Sequence, residues 1–134
     1  SPIAPAAEAC AVSALMTSSG PMKRTPERRA AFAHEAALAR AAFEAGDLDA
    51  AFSRLERAHI LGQPWFGAHS WTHGMMLRIG WRRRDMREVR GQLLRLAVGG
   101  LLSWVGWLPA GNTGGADVPP SLPMPVPEDL AALV

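Results

Sequence analysis

Cysteine is nearly absent from the sequence, and Cys10 carries the one thiol. A single cysteine excludes a disulfide within the chain and any zinc site built on two or more cysteines. The 134 residues must therefore hold their fold by burying apolar side chains, which make up 49% of the sequence. This length and composition predict one domain of modest stability in a reducing compartment, the cytoplasm.

Long hydrophobic runs are lacking as well. The best one, residues 96–110, spans 15 residues and is interrupted by Gly99, Gly100 and Pro109. A helix that crosses a bilayer needs about 20 apolar residues, so we expect a buried helix there and no membrane span. The N-terminus has no basic segment ahead of an apolar stretch, so it does not have the pattern of a signal peptide.

Lysine is scarce, since Lys23 is the one lysine among 14 basic residues. This dominance of arginine is typical of a GC-rich bacterial genome. The net charge of +2 is small for a nucleic-acid-binding protein, and we expect no nucleic-acid partner. The arginine-rich segment 82–90 (RRRDMREVR) could receive phosphate or an acidic partner, or could simply be a solvated helix face.

Helical signals fill residues 25–108, which we predict to be the folded domain. Thr25 is a good N-cap ahead of Pro26, and Gly46 is a natural stop for the first helix. Asp47 caps the second helix, and Asp85 with Glu88 three residues later has the pattern of a capping box for the fourth. Four helices are predicted, over residues 26–45, 47–61, 65–80 and 85–107.

The short connections between these helices predict an all-α fold, a compact antiparallel four-helix arrangement. Its first hairpin, residues 42–58, resembles a tetratricopeptide repeat, although such repeats usually need at least three copies for stability. Residues 1–24 are predicted to be a flexible leader. Residues 109–134 are predicted to be a Gly/Pro-rich tail, extended in its Pro-rich part, that packs on the domain or on a partner. A homodimer or protein partner is expected through Trp104, Trp107 and the leader if the first three helices leave that apolar surface uncovered.

The four histidines are far apart in sequence, but helix geometry places them at one level. His34 lies 12 residues before Gly46 and His59 lies 13 after it, so an antiparallel hairpin sets them at equal height. His59 lies about four residues before the next turn, and His69 about five residues after it. His73 is one helical turn beyond His69 on the same face. The turns determine only the height of each histidine along its helix and leave the rotation of each helix open.

These residues have the chemistry of a transition-metal site. Neutral imidazole binds zinc, copper and iron, and two histidines four residues apart on a helix, such as His69 and His73, can hold one ion. Glu56 lies three residues before His59, a spacing seen in di-iron helical bundles, but a single copy favours one metal ion. We predict the ligands His59, His69 and His73, completed by Glu56 or His34. The alternatives are separate structural or exposed histidines, or histidines that act in acid–base chemistry without metal.

Several segments together resemble a small bacterial domain family of unknown function. They are ERAHILGQPWFGAHSWTHGMMLRIG (residues 56–80), RDMREVRGQLLR (84–95), GNTGG (111–115) and PMPVPEDL (123–130). The resemblance covers about residues 28–131 and implies that His59, His69 and His73 belong to the family's motif region. It also implies a loose association with heavy-metal resistance genes, and it implies no established activity.

Three hypotheses of function follow. The leading one is a helical protein that binds a divalent transition metal, for metal handling or a small metal-dependent reaction. The second, from a different class, is a tetratricopeptide-like module that binds a protein partner without metal. The third is a mononuclear metalloenzyme that uses an open coordination position to activate water or dioxygen.

Overall fold

The computed structural model describes residues 22–104, 113–118 and 124–134, with side chains described up to residue 98 in the first range. Side-chain caps begin three of its four helices. Thr25 Oγ1 accepts a hydrogen bond from the backbone N–H of Arg28 at 3.1 Å, and Asp47 Oδ1 accepts one from Ala50 at 3.1 Å. Both bonds satisfy N–H groups that a helix start leaves without a partner in the helix. The two predicted caps are therefore confirmed.

The helices run close to their predicted bounds. They are α1 (Pro26–Glu44), α2 (Leu48–Gly62), α3 (Phe66–Arg83) and α4 (Met86–Trp104), followed by a short 3₁₀ turn at Glu128–Leu130. Within the described ranges there is no strand, so the predicted all-α fold is confirmed. Residues 1–21, residues 105–107 and the side chain of Trp104 lie outside the described part of the chain, so the predictions made for the leader and for Trp104 and Trp107 are not tested.

Each helix packs on the next one in sequence, and α1, α2 and α3 share one apolar core. The core combines small and large apolar side chains. Its buried members are Ala39 and Phe43 from α1, Ala51 and Leu55 from α2, and Met75, Met76 and Ile79 from α3. Burial of a Leu or Phe side chain of this kind stabilises the fold by roughly 1.5–3 kcal/mol.

A buried arginine joins the start of α1 to the end of α2. The Arg28 guanidinium donates from Nε to the carbonyl of Leu61 at 2.9 Å and from Nη2 to the carbonyl of Ile60 at 2.9 Å. These carbonyls belong to the last turn of α2, where they have no N–H donor within the helix and where positive charge is favoured. Burial lowers the pKa of Arg28. The contact holds in place the end of α2 that carries His59.

The start of α4 departs from the expected capping box. Asp85 Oδ1 accepts from the backbone N–H groups of Arg87 and Glu88, both at 3.1 Å, as a cap should. The Glu88 carboxylate does not complete the box, because it accepts hydrogen bonds from Gln92 and from the backbone of Ala116. Among the described helices, none is long and apolar enough to cross a membrane.

Candidate metal centre

Three of the four histidines meet in the interior of the helical domain. His59 lies in the last turn of α2, and His69 and His73 lie one turn apart on α3. The connection between α2 and α3 spans only residues 63–65, so the two helices leave the turn side by side and the three rings share one level. All three side chains are buried, with 3–4% of their surface exposed.

The ring nitrogens of these histidines converge on one point. The Nε2 atoms of His59 and His69 are 2.8 Å apart, those of His59 and His73 are 3.2 Å apart, and those of His69 and His73 are 3.3 Å apart. The ring centroids are 4.6–4.7 Å apart. Three nitrogens bound to one tetrahedral ion at about 2.0–2.1 Å would stand about 3.3 Å from one another. The cluster therefore has nearly the dimensions of a three-histidine metal site.

Protons cannot satisfy all three of these contacts at once. Each Nε2 either carries a hydrogen or presents a lone pair, so among three mutually contacting nitrogens at least two are alike. Two facing N–H groups repel each other, and so do two facing lone pairs. A cation at the centre would accept all three lone pairs and remove this conflict. Within the described residues, the three histidines form the group of ligand atoms that could hold a metal ion.

The tautomer of His73 is determined by its neighbour Gln92. The Gln92 side-chain nitrogen lies 2.6 Å from Glu88 Oε1 and 2.8 Å from the carbonyl oxygen of Gly114, and it donates to both. The Gln92 oxygen is therefore the atom that faces His73 Nδ1, at 2.6 Å. Because that oxygen can only accept, Nδ1 carries the proton and the Nε2 lone pair points to the centre of the cluster.

Burial keeps two of the rings neutral. It lowers the pKa of His69 to about 3, with smaller contributions in the same direction from His73 and Arg95. Burial also lowers the pKa of His73 to about 4, against an opposing effect of the hydrogen bond to Gln92 and with a further lowering by Arg95. Imidazole must be unprotonated to bind a metal ion, so at neutral pH both rings are in the form that can do so.

The glycine-rich segment 113–118 lies against the cluster. Gly114 has a φ of +83°, and a Cβ atom at this position would lie 2.8 Å from Cδ2 of His59 and 2.9 Å from its Nε2. Glu88 and Gln92 hold the segment by their hydrogen bonds to Ala116 and Gly114, and Arg95 donates to the carbonyl of Val118. The segment therefore covers His59 and is fastened to α4.

Glu56 lies one helical turn before His59 on α2 but outside the group of converging ligand atoms. It is half-buried, and burial raises its pKa, with further raising by Asp117 and Glu88. Glu56 thus belongs to a set of neighbouring carboxylates on α2, α4 and segment 113–118.

His34 is not brought to the other histidines, and its side chain is exposed on α1. The next residue, Glu35, is the one that faces α2, where it accepts hydrogen bonds from Arg54 and Arg57. Successive residues of a helix point about 100° apart, so burial of Glu35 turns His34 toward solvent.

The residues that support the cluster are not among the predicted site residues. The place of Glu88 three residues after Asp85 predicts a capping role, and no prediction concerns Gln92. The GNTGG segment is predicted only as part of the Gly/Pro-rich tail, yet Gly114 contacts His59. The four-residue spacing of Glu88 and Gln92 places them on one face of α4. This spacing is the sequence feature that could have identified them as a pair.

Residues 26–134 match the family DUF3703, described as a protein of unknown function. The match covers most of the chain, which therefore belongs to this family, and the expected resemblance to an uncharacterised family is confirmed. No curated protein and no solved structure matches the chain at a significant level.

Proposed function

We propose that this DUF3703 protein binds one divalent transition-metal ion through Nε2 of His59, His69 and His73. The observation that carries the proposal is the triangle of nitrogens 2.8–3.3 Å apart, in which no distribution of protons makes every contact favourable. A cation is the simplest species that satisfies three inward-facing lone pairs. The low pKa of His69 and His73 supports the same reading, because neither proton competes with the ion at neutral pH.

The chemistry of the ligands selects among metals. Imidazole nitrogen suits zinc, copper, iron and nickel, whereas magnesium and calcium prefer oxygen ligands. The spacing of the three nitrogens fits the tetrahedral geometry of zinc, which we propose as the first metal to test. Glu56 or His34 is expected to complete the ligand set. Of these, Glu56 is the better candidate, because it lies one helical turn from His59 and close to Glu88, while His34 faces solvent.

The role of the ion is proposed to be metal handling or a small metal-dependent reaction. Three histidine ligands are the pattern of zinc sites in which the fourth position takes water or substrate. A bound ion there would lower the pKa of such a water molecule. The chain's own residues would orient the rings, exclude bulk water and, through Glu56, offer a nearby carboxyl group whose raised pKa suits proton transfer. The expected association with heavy-metal resistance fits a handling role and is part of this proposal.

Protein binding is a second candidate function. Several large apolar side chains are exposed at the end of α3 and along α4, among them Trp81 at 68%, Leu93 at 52% and Leu94 at 63%. Trp81 and Leu93 line the same groove. Apolar groups clustered on a surface often mark a contact with another protein. Sedimentation of the wild-type chain and of Leu94→Asp distinguishes a homodimer from a monomer, and an unchanged monomer in both would remove the self-association form of this candidate.

Metal analysis of protein purified without an affinity tag tests the leading proposal. After incubation with zinc and removal of free metal, we expect about one ion per chain, as a preformed three-ligand site predicts. His69→Gln should lose the ion, whereas His34→Gln, which changes an exposed histidine outside the cluster, should keep it. Less than about 0.1 ion per wild-type chain, far below the one ion that such a site would hold, would contradict the proposal.

A further inference from the structure

Gln92 brings α4 into contact with His73 of the proposed metal centre. Its side chain is fully buried, and its amide nitrogen has two partners that act as acceptors. The oxygen faces Nδ1 of His73 at 2.6 Å, while the nitrogen donates to Glu88 at 2.6 Å and to the carbonyl of Gly114 at 2.8 Å. Glu88 in turn accepts the backbone N–H of Ala116 at 3.2 Å.

This arrangement allows only one orientation of the Gln92 amide. If the amide were turned over, its oxygen would face two acceptors, the Glu88 carboxylate and the Gly114 carbonyl. Both contacts would then be repulsive at less than 3 Å. The orientation in turn places the proton of His73 on Nδ1 and leaves Nε2 free of hydrogen.

The same side chain also reaches a second histidine indirectly. Gln92 donates a hydrogen bond to the carbonyl of Gly114, and the Cα of Gly114 packs against the ring of His59. Ala116, two residues after Gly114, also packs closely on α4. A Cβ atom added at Gly91 would lie 2.5 Å from the Cβ of Ala116, so the segment has room only beside a glycine. One glutamine thus contacts His73 directly and restrains the backbone that lies on His59.

We infer that Gln92 is a positioning residue of the proposed metal centre, which holds His73 in the metal-binding tautomer and holds segment 113–118 against His59. The inference rests on the proposed function. Groups that hydrogen-bond the outer nitrogen of a ligating histidine typically change metal affinity by about 10–100-fold. Gln92 is not itself a ligand, since it acts through the ring of His73.

The first experiment reads the tautomer without any metal. Long-range ¹H–¹⁵N NMR of the metal-free wild-type protein should show His73 protonated at Nδ1. In Gln92→Met, which keeps the length of the side chain but removes both its donor and its acceptor, the proton should move partly or fully to Nε2. Wild-type His73 protonated at Nε2 would overturn the inference, whether or not any variant folds.

The second experiment measures zinc affinity by competition with a chelating dye. Gln92→Met should bind zinc about 10–100-fold more weakly than the wild type. Glu35→Gln changes a buried polar side chain that bonds Arg54 and Arg57, and it should keep an affinity close to that of the wild type. Equal affinity in Gln92→Met and the wild type would overturn the role of Gln92. A wild-type chain that binds no zinc, copper or iron would instead overturn the proposed function, and the tautomer measurement would still decide the positioning of His73.

Discussion

Gly114 lies so close to His59 that a single added carbon atom would contact the nitrogen that faces the other two histidines, at 2.9 Å. Segment 113–118 is remote in sequence from α2, yet it forms part of the wall of the candidate metal centre. The contact requires a residue without a side chain, and the φ of +83° at Gly114 also favours glycine. The centre therefore depends on three helices and on a segment that follows them.

Gly114→Ala is expected to lower the free energy of unfolding by about 1–3 kcal/mol, because the methyl group is strained by the positive φ and must displace the His59 ring. Zinc affinity should fall as well. Thermal unfolding followed by circular dichroism measures the first effect. Gly74→Ala is the matched control, since position 74 is inside α3 and open to solvent. It should stabilise the protein by up to about 1 kcal/mol. An equal change in the free energy of unfolding in the two variants would contradict the contact between Gly114 and His59.

The stability of the metal-free protein should decrease as the pH falls from about 6.5 to about 4. The pKa of His69 is lowered to about 3 and that of His73 to about 4, from an ordinary value of 6.5. Between these limits the unfolded chain binds protons that the folded chain does not, so acid favours unfolding. For two such groups the slope is at most about 2.7 kcal/mol per pH unit.

Urea unfolding at a series of pH values in the presence of a chelator measures this slope. The double variant His69→Gln, His73→Gln should be much less sensitive to pH over the same interval, while His34→Gln should keep the wild-type slope. A wild-type protein whose stability is constant between pH 6.5 and pH 4 would show that these two rings are not held neutral.

Zinc should raise the melting temperature of the wild-type chain. A ligand present at 100 times its Kd stabilises the folded state by about 2.7 kcal/mol, which corresponds to about 10 °C for a domain of this size. His73→Gln should show little of this shift, and His34→Gln should show all of it. A shift of equal size in all three proteins would locate zinc binding outside the cluster.

Arg28→Met should destabilise the fold by about 2–4 kcal/mol, because the carbonyls of Ile60 and Leu61 would lose buried, charge-assisted hydrogen bonds. Arg29→Met changes the adjacent, exposed arginine and should cost less than about 0.5 kcal/mol. Chemical denaturation of both variants provides the comparison. Similar losses in the two would mean that Arg28 does not hold the end of α2.

The height of the histidines along their helices could be predicted from the sequence, whereas the direction of their side chains could not. The short connection at residues 63–65 and the helical spacing of His69 and His73 were enough to place these residues beside His59. The direction of His34 depends on which face of α1 packs on α2. That face is decided by Glu35, Ala36, Ala39 and Phe43 together.

Gln92 and Glu88, which support the cluster, could not be predicted from the sequence for a different reason. The role of Gln92 depends on the rotation of α4 about its own axis and on the path of segment 113–118 back to α2. Both follow from packing between parts of the chain that are distant in sequence, and no local spacing encodes them. Glu88 shows the same effect, because its place after Asp85 predicted a capping role, and the contacts with Gln92 and Ala116 prevailed.

X-ray absorption spectroscopy of the zinc-loaded protein identifies the atoms that hold the ion. We expect one zinc ion per chain with three imidazole nitrogens at about 2.0 Å, and loss of this signal in the triple variant His59→Gln, His69→Gln, His73→Gln. A first shell made of oxygen atoms alone, or an unchanged spectrum in the triple variant, would show that the three converging rings do not hold the metal.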